Sequence, residues 1–254
     1  MKGCNQIVMR RVTWLALVVT AVACGGGFKP DAYPTPVALF EAAKAEYQKG
    51  NCGGATRGFS RVVFELPPRD PRIAEARYLL GECRIDSKEY LEASRDLRRA
   101  ADDFPTHEVA PMALMRSGDA LGKLWKRAEL DPTYGEQALS VYSEVLQRYP
   151  NSSAAALTRE RVGELGDRFA IKDLKTGDFY FRIKAFDSAI IYYRAVITSW
   201  PQSQHAPLAL MKLVETYQRI GYEEEVIETC AHLRRFYAEA EGLSDVCPDS
   251  VTTS

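Results

Sequence analysis

The chain of 254 residues predicts an all-α fold, a solenoid of about five helix-turn-helix repeats. Three observations carry that reading. First, the stretches "LGECRIDSKEYLEASRDLRRAADDFP" and "TGDFYFRIKAFDSAIIYYRAVITSWP" place Gly81, Tyr90, Ala93, Leu97, Ala100 and Pro105 at the same spacings as Gly177, Phe186, Ala189, Tyr193, Val196 and Pro201. Second, three further stretches fall into the same frame. Third, the residue types suit paired helices: small residues allow close approach, large apolar residues fill the groove, and proline ends the second helix. No such unit buries its apolar face alone, so the copies must stack.

The N-terminal segment, residues 1–23, is read as an export signal. Lys2, Arg10 and Arg11 precede the apolar run from Val12 to Ala23, which as a helix reaches about 18 Å and cannot cross roughly 30 Å of hydrocarbon. A basic start, a short apolar centre and small residues at the exit make a secretory signal. "AVAC", Ala21 to Cys24, resembles the lipobox of bacterial lipoproteins, although Ala21 stands where leucine is usual. The resemblance implies lipidation at Cys24, which becomes the first mature residue, with acyl chains holding the protein to a membrane. Gly25 is not the acidic residue that favours the inner membrane, so the implied location is the periplasmic face of the outer membrane. Residues 24–36, "CGGGFKPDAYPTP", read as a flexible tether stiffened by proline.

Charge and cysteine content narrow the function classes. A net charge of -1 with interspersed charges leaves no basic footprint for nucleic acid. Of the six cysteines, Cys4 leaves with the signal and Cys24 takes the lipid. Cys52, Cys83, Cys230 and Cys247 remain, and in an exported chain they invite disulfides. Three connectivities are open; Cys52 with Cys83 and Cys230 with Cys247 is the sequence-local one, while Cys230 also reads as a small buried residue on an apolar helix face.

The body runs through residues 37–168 as repeats one to three and 169–241 as repeats four and five. The first repeat has Ala43, Gly50, Ala55, Phe59, Val62 and Pro67; the last has Val214, Tyr217, Gly221, Val226, Cys230 and Leu233. The third starts with Gly118 and Leu121 and resumes at Ala138, Tyr142, Val145 and Pro150, so "KRAELDPTYGEQ" is an insertion in its turn. The spacing resembles the tetratricopeptide repeat, which implies a curved superhelix. Between the third and fourth repeats, Asn151 or Ser152 is a helix cap and Leu157, Val162 and Leu165 form a partial apolar stripe, so this segment joins the halves as helix. Residues 242–254 are a polar tail, ordered as far as Cys247 holds it.

Nothing in this pattern carries chemistry. His107, His205 and His232 fall in different repeats and read as surface or capping residues, with no metal-ligand spacing. "CGGAT" lacks the lysine and strand of a phosphate loop, no serine or cysteine sits in a nucleophile elbow, and Glu223 to Glu225 suit a helix N-terminus. An enzyme is not expected, nor any cofactor or metal.

Five such repeats behind a lipoprotein signal, an insertion in the third and a joining helix before the fourth resemble the BamD-type outer-membrane assembly lipoproteins. Within the resemblance, "FEAAKAEYQKGNCGGATRGFSRVV" is similar to that family's first repeat and "YPNSSAAALTRER" to its junction. The four mature cysteines and the polar tail are departures. The family implies a subunit of the machinery that folds β-barrels into the outer membrane, partnered by the central barrel subunit with its periplasmic domains and by other assembly lipoproteins. N-terminal repeats of that family are credited with receiving the C-terminal segments of unfolded clients, which often end in an aromatic residue and a carboxylate. The first helices then line the concave face, and the positions this marks as a client groove are Phe40, Lys44, Tyr47, Tyr78, Met115 and Lys123; the tyrosines alternatively pack against the next repeat. Arg182, Arg194, Arg219 and Tyr222 are the matching partner-docking positions in the last two repeats. Other readings of the same architecture are a lipoprotein scaffold for pilus or secretin assembly, a coordinator beside the Tol-Pal system, and a hydrolase with a solenoid arm. The place of the insertion argues against the first, the lack of a sustained heptad against the second, and the lack of room for a catalytic domain against the third.

Overall fold

A computed structural model of the chain describes residues 27–247. The signal segment, Cys24 and the end of the tail lie outside the described residues. The described elements are all helical: α1 (Pro36–Gln48), α2 (Cys52–Glu65), α3 (Arg72–Asp86), α4 (Tyr90–Asp103), α5 (Ala110–Leu124), α6 (Thr133–Arg148), α7 (Ser153–Arg182), α8 (Phe186–Ser199), α9 (Ala206–Ile220), α10 (Glu223–Phe236) and the short α11 (Leu243–Val246). Successive helices pack antiparallel on one another from α1 to α10, and the core runs through the stack as linked apolar clusters.

Local chemistry sets the boundaries. The Thr35, Asn51 and Ser152 side chains each accept a hydrogen bond from a backbone N–H of the first turn they precede, satisfying one orphan donor apiece. Proline opens α1, α5 and α9, where its missing N–H costs nothing.

What makes each pair of helices close is a matched volume at one motif position. A methyl group added to Gly118 or Gly177 would lie 2.5 Å from the ring of Tyr142 or Tyr193, and one on Gly81 would strike Leu97. The first repeat meets the same demand with Ala43 against Phe59, both fully buried. The last repeat inverts it, with the larger Val214 on the first helix and the small Cys230 on the second.

The turn between paired helices repeats just as strictly. Gly50, Lys88, Lys184 and Gly221, at one motif position, all have φ between 62° and 77°. Glycine adopts this left-handed region freely, whereas a lysine there is strained by about 1 kcal/mol. Lys88→Gly and Lys184→Gly should therefore each stabilise the protein, by about 0.5 kcal/mol net after the extra chain entropy of glycine. Urea denaturation checks this; a fall in the midpoint would contradict the strain.

The lengthened turn of the third repeat, residues 125–132, is built into the fold, and residues 133–137 of the predicted insertion are already the start of α6. Trp125 is buried over Gly135 and packs at a tilt on Phe169 of α7 with centroids 4.5 Å apart; Phe169 in turn stacks on Trp200 at 5.5 Å. Lys172 donates to the Leu130 carbonyl, and Lys175 pairs with Glu129. The joining segment and the first helix of repeat four form one continuous helix, α7, so the division at residue 168 falls in a helix interior. Leu157 points outward and half exposed, whereas Leu165 is buried; the buried face of α7 starts with Ala154, Ala155 and Thr158, and Leu157 falls on the other side of the helix.

The expected tether at the N-terminal end is corrected. Residues 27–35 are not a free tether: Phe28 fills the slot that Gly58 leaves open, its carbonyl accepts from Arg57 at 3.2 Å, Pro30–Ala32 forms a 3-10 turn, and Asp31 pairs with Arg61. At the other end α11 packs on α9, Gln218 donates to the Val246 carbonyl and Arg234 to that of Cys247. The cysteines are bonded in the sequence-local pairing. Cys52–Cys83 ties α2 to α3 with Cα atoms 5.1 Å apart, and Cys230–Cys247 ties α10 to the end of the cap at 5.6 Å.

Candidate functional site

A cavity of about 650 Å³ lies where α5, α6 and α7 meet, lined by Arg116, Asp119, Lys123, Trp125, Lys126, Tyr142, Arg161, Glu164 and Arg168 among others. Its floor is an ion network. Arg116 makes two parallel hydrogen bonds to Glu82 of α3, at 2.7 and 2.8 Å, and a third to Asp119 at 2.9 Å. Asp119 accepts from the Tyr142 hydroxyl at 2.8 Å, and Arg161 reaches it at 3.4 Å while pairing with Glu164. The network thus ties four helices from two repeats and the junction.

These contacts fix the protonation states. The hydrogen bonds to Glu82, above all, raise the pKa of Arg116 and keep it charged. Burial, with Asp119 beside it, raises that of the Tyr142 hydroxyl, which stays a donor. Burial lowers the pKa of Arg168, but a guanidinium starts so high that it remains a cation.

The charge count decides what the cavity attracts. Asp119, Glu164 and Glu82 answer Arg116 and Arg161. Arg168 donates only to the carbonyls of Gly122 and Trp125 and stacks 4.6 Å from the Trp125 ring; Lys123 lies 5.9 Å over the Tyr90 ring, and neither it nor Lys126 has a carboxylate partner among the described residues. The buried Trp125 indole N–H also has no acceptor there. Uncompensated cations, one of them over the Tyr90 ring, suit a carboxylate group.

Of the predicted groove positions, only Lys123 lines this cavity. Phe40 and Met115, at 2% and 3% exposure, are core residues and no groove. Their side chains sit on the faces of α1 and α5 that meet neighbouring helices, Phe40 packing on Phe59 at 6.1 Å. Lys44 is paired with Glu75 at 2.6 Å, so its charge is already answered. Tyr47 and Tyr78 are half-buried against the first-repeat core, and burial raises the pKa of both hydroxyls.

On the last repeats, Arg182, Arg194, Arg219 and Tyr222 are all exposed. Arg194 donates to the Tyr217 hydroxyl at 3.0 Å, and Tyr217 stacks on Tyr222 at 6.3 Å, so these two predicted positions share one ladder. Arg182 and Arg219 are not part of that ladder. Sequence reasoning passed over the exposed apolar side chains of the same repeats, Phe179, Ile183, Ile191 and Ile227. It also passed over Arg161 and Arg168, whose spacing of two helical turns places both on one face of α7.

The histidines have local roles. His107 accepts from the Val109 N–H at 3.3 Å, and His232 lies 4.7 Å from the Phe236 ring. None of the described helices is long and apolar enough to cross a membrane.

The family model described as YfiO, outer membrane lipoprotein, matches residues 33–233. The chain is 28% identical over 223 residues to the outer membrane protein assembly factor BamD of Caulobacter vibrioides, covering 85% of this chain and 73% of that one. It is 24% identical to the BamD of Neisseria meningitidis serogroup A over 85% of each chain. Among solved structures, a tetratricopeptide-repeat protein of Thermus thermophilus is similar at 18% identity and a TM-score of 0.38, covering 83% of this chain and 96% of its own. With the model match running from just before the α1 cap to the last buried leucine of α10, the chain belongs to the YfiO family of outer membrane lipoproteins.

Proposed function

We propose that this chain is a lipid-anchored scaffold on the periplasmic face of the outer membrane, serving the machinery that assembles β-barrel proteins there. Repeats one to three (37–168) receive the C-terminal segment of an unfolded barrel. Repeats four and five (169–241) dock on the periplasmic domains of the central barrel subunit, with other assembly lipoproteins beside them. The relatives' shared description as an assembly factor supports the cellular role. The observation that carries the client half is the basic cavity, where Lys123, Lys126 and Arg168 have no carboxylate partner among the described residues. The free carboxylate of a client end matches that surplus of positive charge. Exposed apolar side chains beside Arg182, Arg194 and Arg219 favour docking through the last repeats, since interfaces combine an apolar centre with a charged rim.

Fluorescence anisotropy with a barrel's labelled C-terminal peptide tests the client half. Lys123→Glu with Lys126→Glu should weaken binding roughly tenfold, about 1.4 kcal/mol, and amidating the peptide's C-terminus should do the same. Lys44→Glu should have a smaller effect, because Glu75 already neutralises that lysine. Equal affinity for the free-acid and amidated peptides would contradict the assignment.

A further inference from the structure

The first repeat sits unusually close to the proposed anchor. Gly27 lies against Arg57, where an added methyl group would meet the guanidinium at 3.6 Å, and Phe28 is clamped on α2 through Gly58 and Arg57. Between Gly27 and Cys24 stand only Gly25 and Gly26, so the two Cα atoms are at most about 11 Å apart. An acyl-bearing Cys24 would hold this edge of the first repeat at the lipid surface, whatever the rest of the solenoid reaches.

The face of α2 beside that edge is suited to such a place. Arg57, Arg61 and Phe64 share one side of the helix, four and then three residues apart, and span about 10 Å of its axis. Phe64 is 85% exposed, more than any other large apolar side chain described. Pro67 and Pro68, also exposed, follow it in the turn. Cations on or next to this face are Lys29, Arg57, Arg61 and Arg69, against the carboxylates of Asp31 and Glu65, both of which pair with Arg61, and of Glu46, which lies near Arg57 but pairs with Lys49. An aromatic ring flanked by excess arginine and lysine is what an anionic bilayer surface takes up.

We infer that the outer face of α2 is a membrane seat: phospholipid headgroups contact Lys29, Arg57 and Arg69, and the Phe64 ring enters the interface. The inference rests on lipidation at Cys24. The short connection converts a weak surface contact into an intramolecular one at high effective concentration, so the first repeat is held at a fixed orientation to the bilayer.

The test uses the full-length lipidated protein, purified from membranes and reconstituted alone in phosphatidylethanolamine and phosphatidylglycerol vesicles carrying brominated acyl chains. Tryptophan quenching is compared for wild type, Phe64→Trp and, in the last repeat, Phe236→Trp, which is also exposed. Quenching of the Phe64→Trp fluorophore above the wild-type background, with none at Phe236→Trp, is the expected result. Inserting ten Gly/Ser residues after Gly26 should reduce it, because the effective concentration of the patch falls roughly tenfold. Intact mass in parallel reads the acyl chains. An acylated protein with equal quenching at both positions would overturn the seat while leaving the anchor intact; an unacylated Cys24 would overturn both.

Discussion

Breaking either disulfide should lower the melting temperature by roughly 6–16 °C. The Cys230–Cys247 bond closes a segment of 17 residues and Cys52–Cys83 one of 31. By the chain-entropy account these loops stabilise by about 3 and 4 kcal/mol, and in a protein of this size each kcal/mol shifts melting by about 2–4 °C. The two losses should differ in kind. Cys52–Cys83 joins the first two repeats inside the stack, so Cys52→Ser should shift a single cooperative transition. Cys230–Cys247 holds the end cap, and in a solenoid each unit is stabilised mainly by its neighbours. Cys247→Ser should therefore release α11 and fray α10 first, giving an early transition and proteolysis near Gly242, whose left-handed backbone already marks a turn. Calorimetry of each variant with thiol counting checks both. An unshifted melting temperature in a protein with titrated free thiols would contradict the stapling role.

Gly81→Ala should destabilise, although glycine to alanine inside a helix ordinarily stabilises by about 1 kcal/mol. The added methyl group would strike Leu97, whose side chain is fully buried and has nowhere to retreat. Overpacking of this kind costs about 1–3 kcal/mol. Leu97→Ala alone should cost about 3 kcal/mol through the cavity it leaves. Combined, the two changes partly compensate, because the new methyl group occupies space the leucine vacated, and the double variant should lose less than the sum by at least about 1 kcal/mol. Additive losses would mean that the helices do not meet through this pair and that the repeat frame has been misplaced.

The same pair shows why so much of the fold was legible. A small residue on one helix and a large one at a fixed offset on the next is a steric requirement, so Gly81 with Leu97 and Gly177 with Tyr193 expose the frame in the sequence itself. Residues whose placement depends on a partner outside the frame were less readable. Phe40 and Met115 carry groove-like chemistry, but a helix turns 100° per residue, and a position slightly off the assumed face goes into the core. Arg161 and Arg168 lie on the joining helix, where no repeat pattern draws attention, and they face the cavity only because Trp125 and Phe169 hold the insertion against α7. Phe28 docks because Gly58 lacks a side chain, which nothing in the local "GGGFKPDAY" announces. Lys88 and Lys184 occupy a left-handed turn without a turn residue's signature; only their alignment with Gly50 and Gly221 reveals it.

The repeats, the basic cavity and the exposed apolar side chains of the last repeats together describe a protein that works by holding others. The most direct measurement is a mild-detergent pull-down of the full-length protein from native membranes, with every co-purifying chain identified and quantified. A large barrel protein with several periplasmic domains, recovered in near-stoichiometric amount and lost when Ile183 and Tyr222 are replaced by aspartate, is the result this account predicts. Recovery of a secretin, pilus components or Tol-Pal proteins in its place would contradict it.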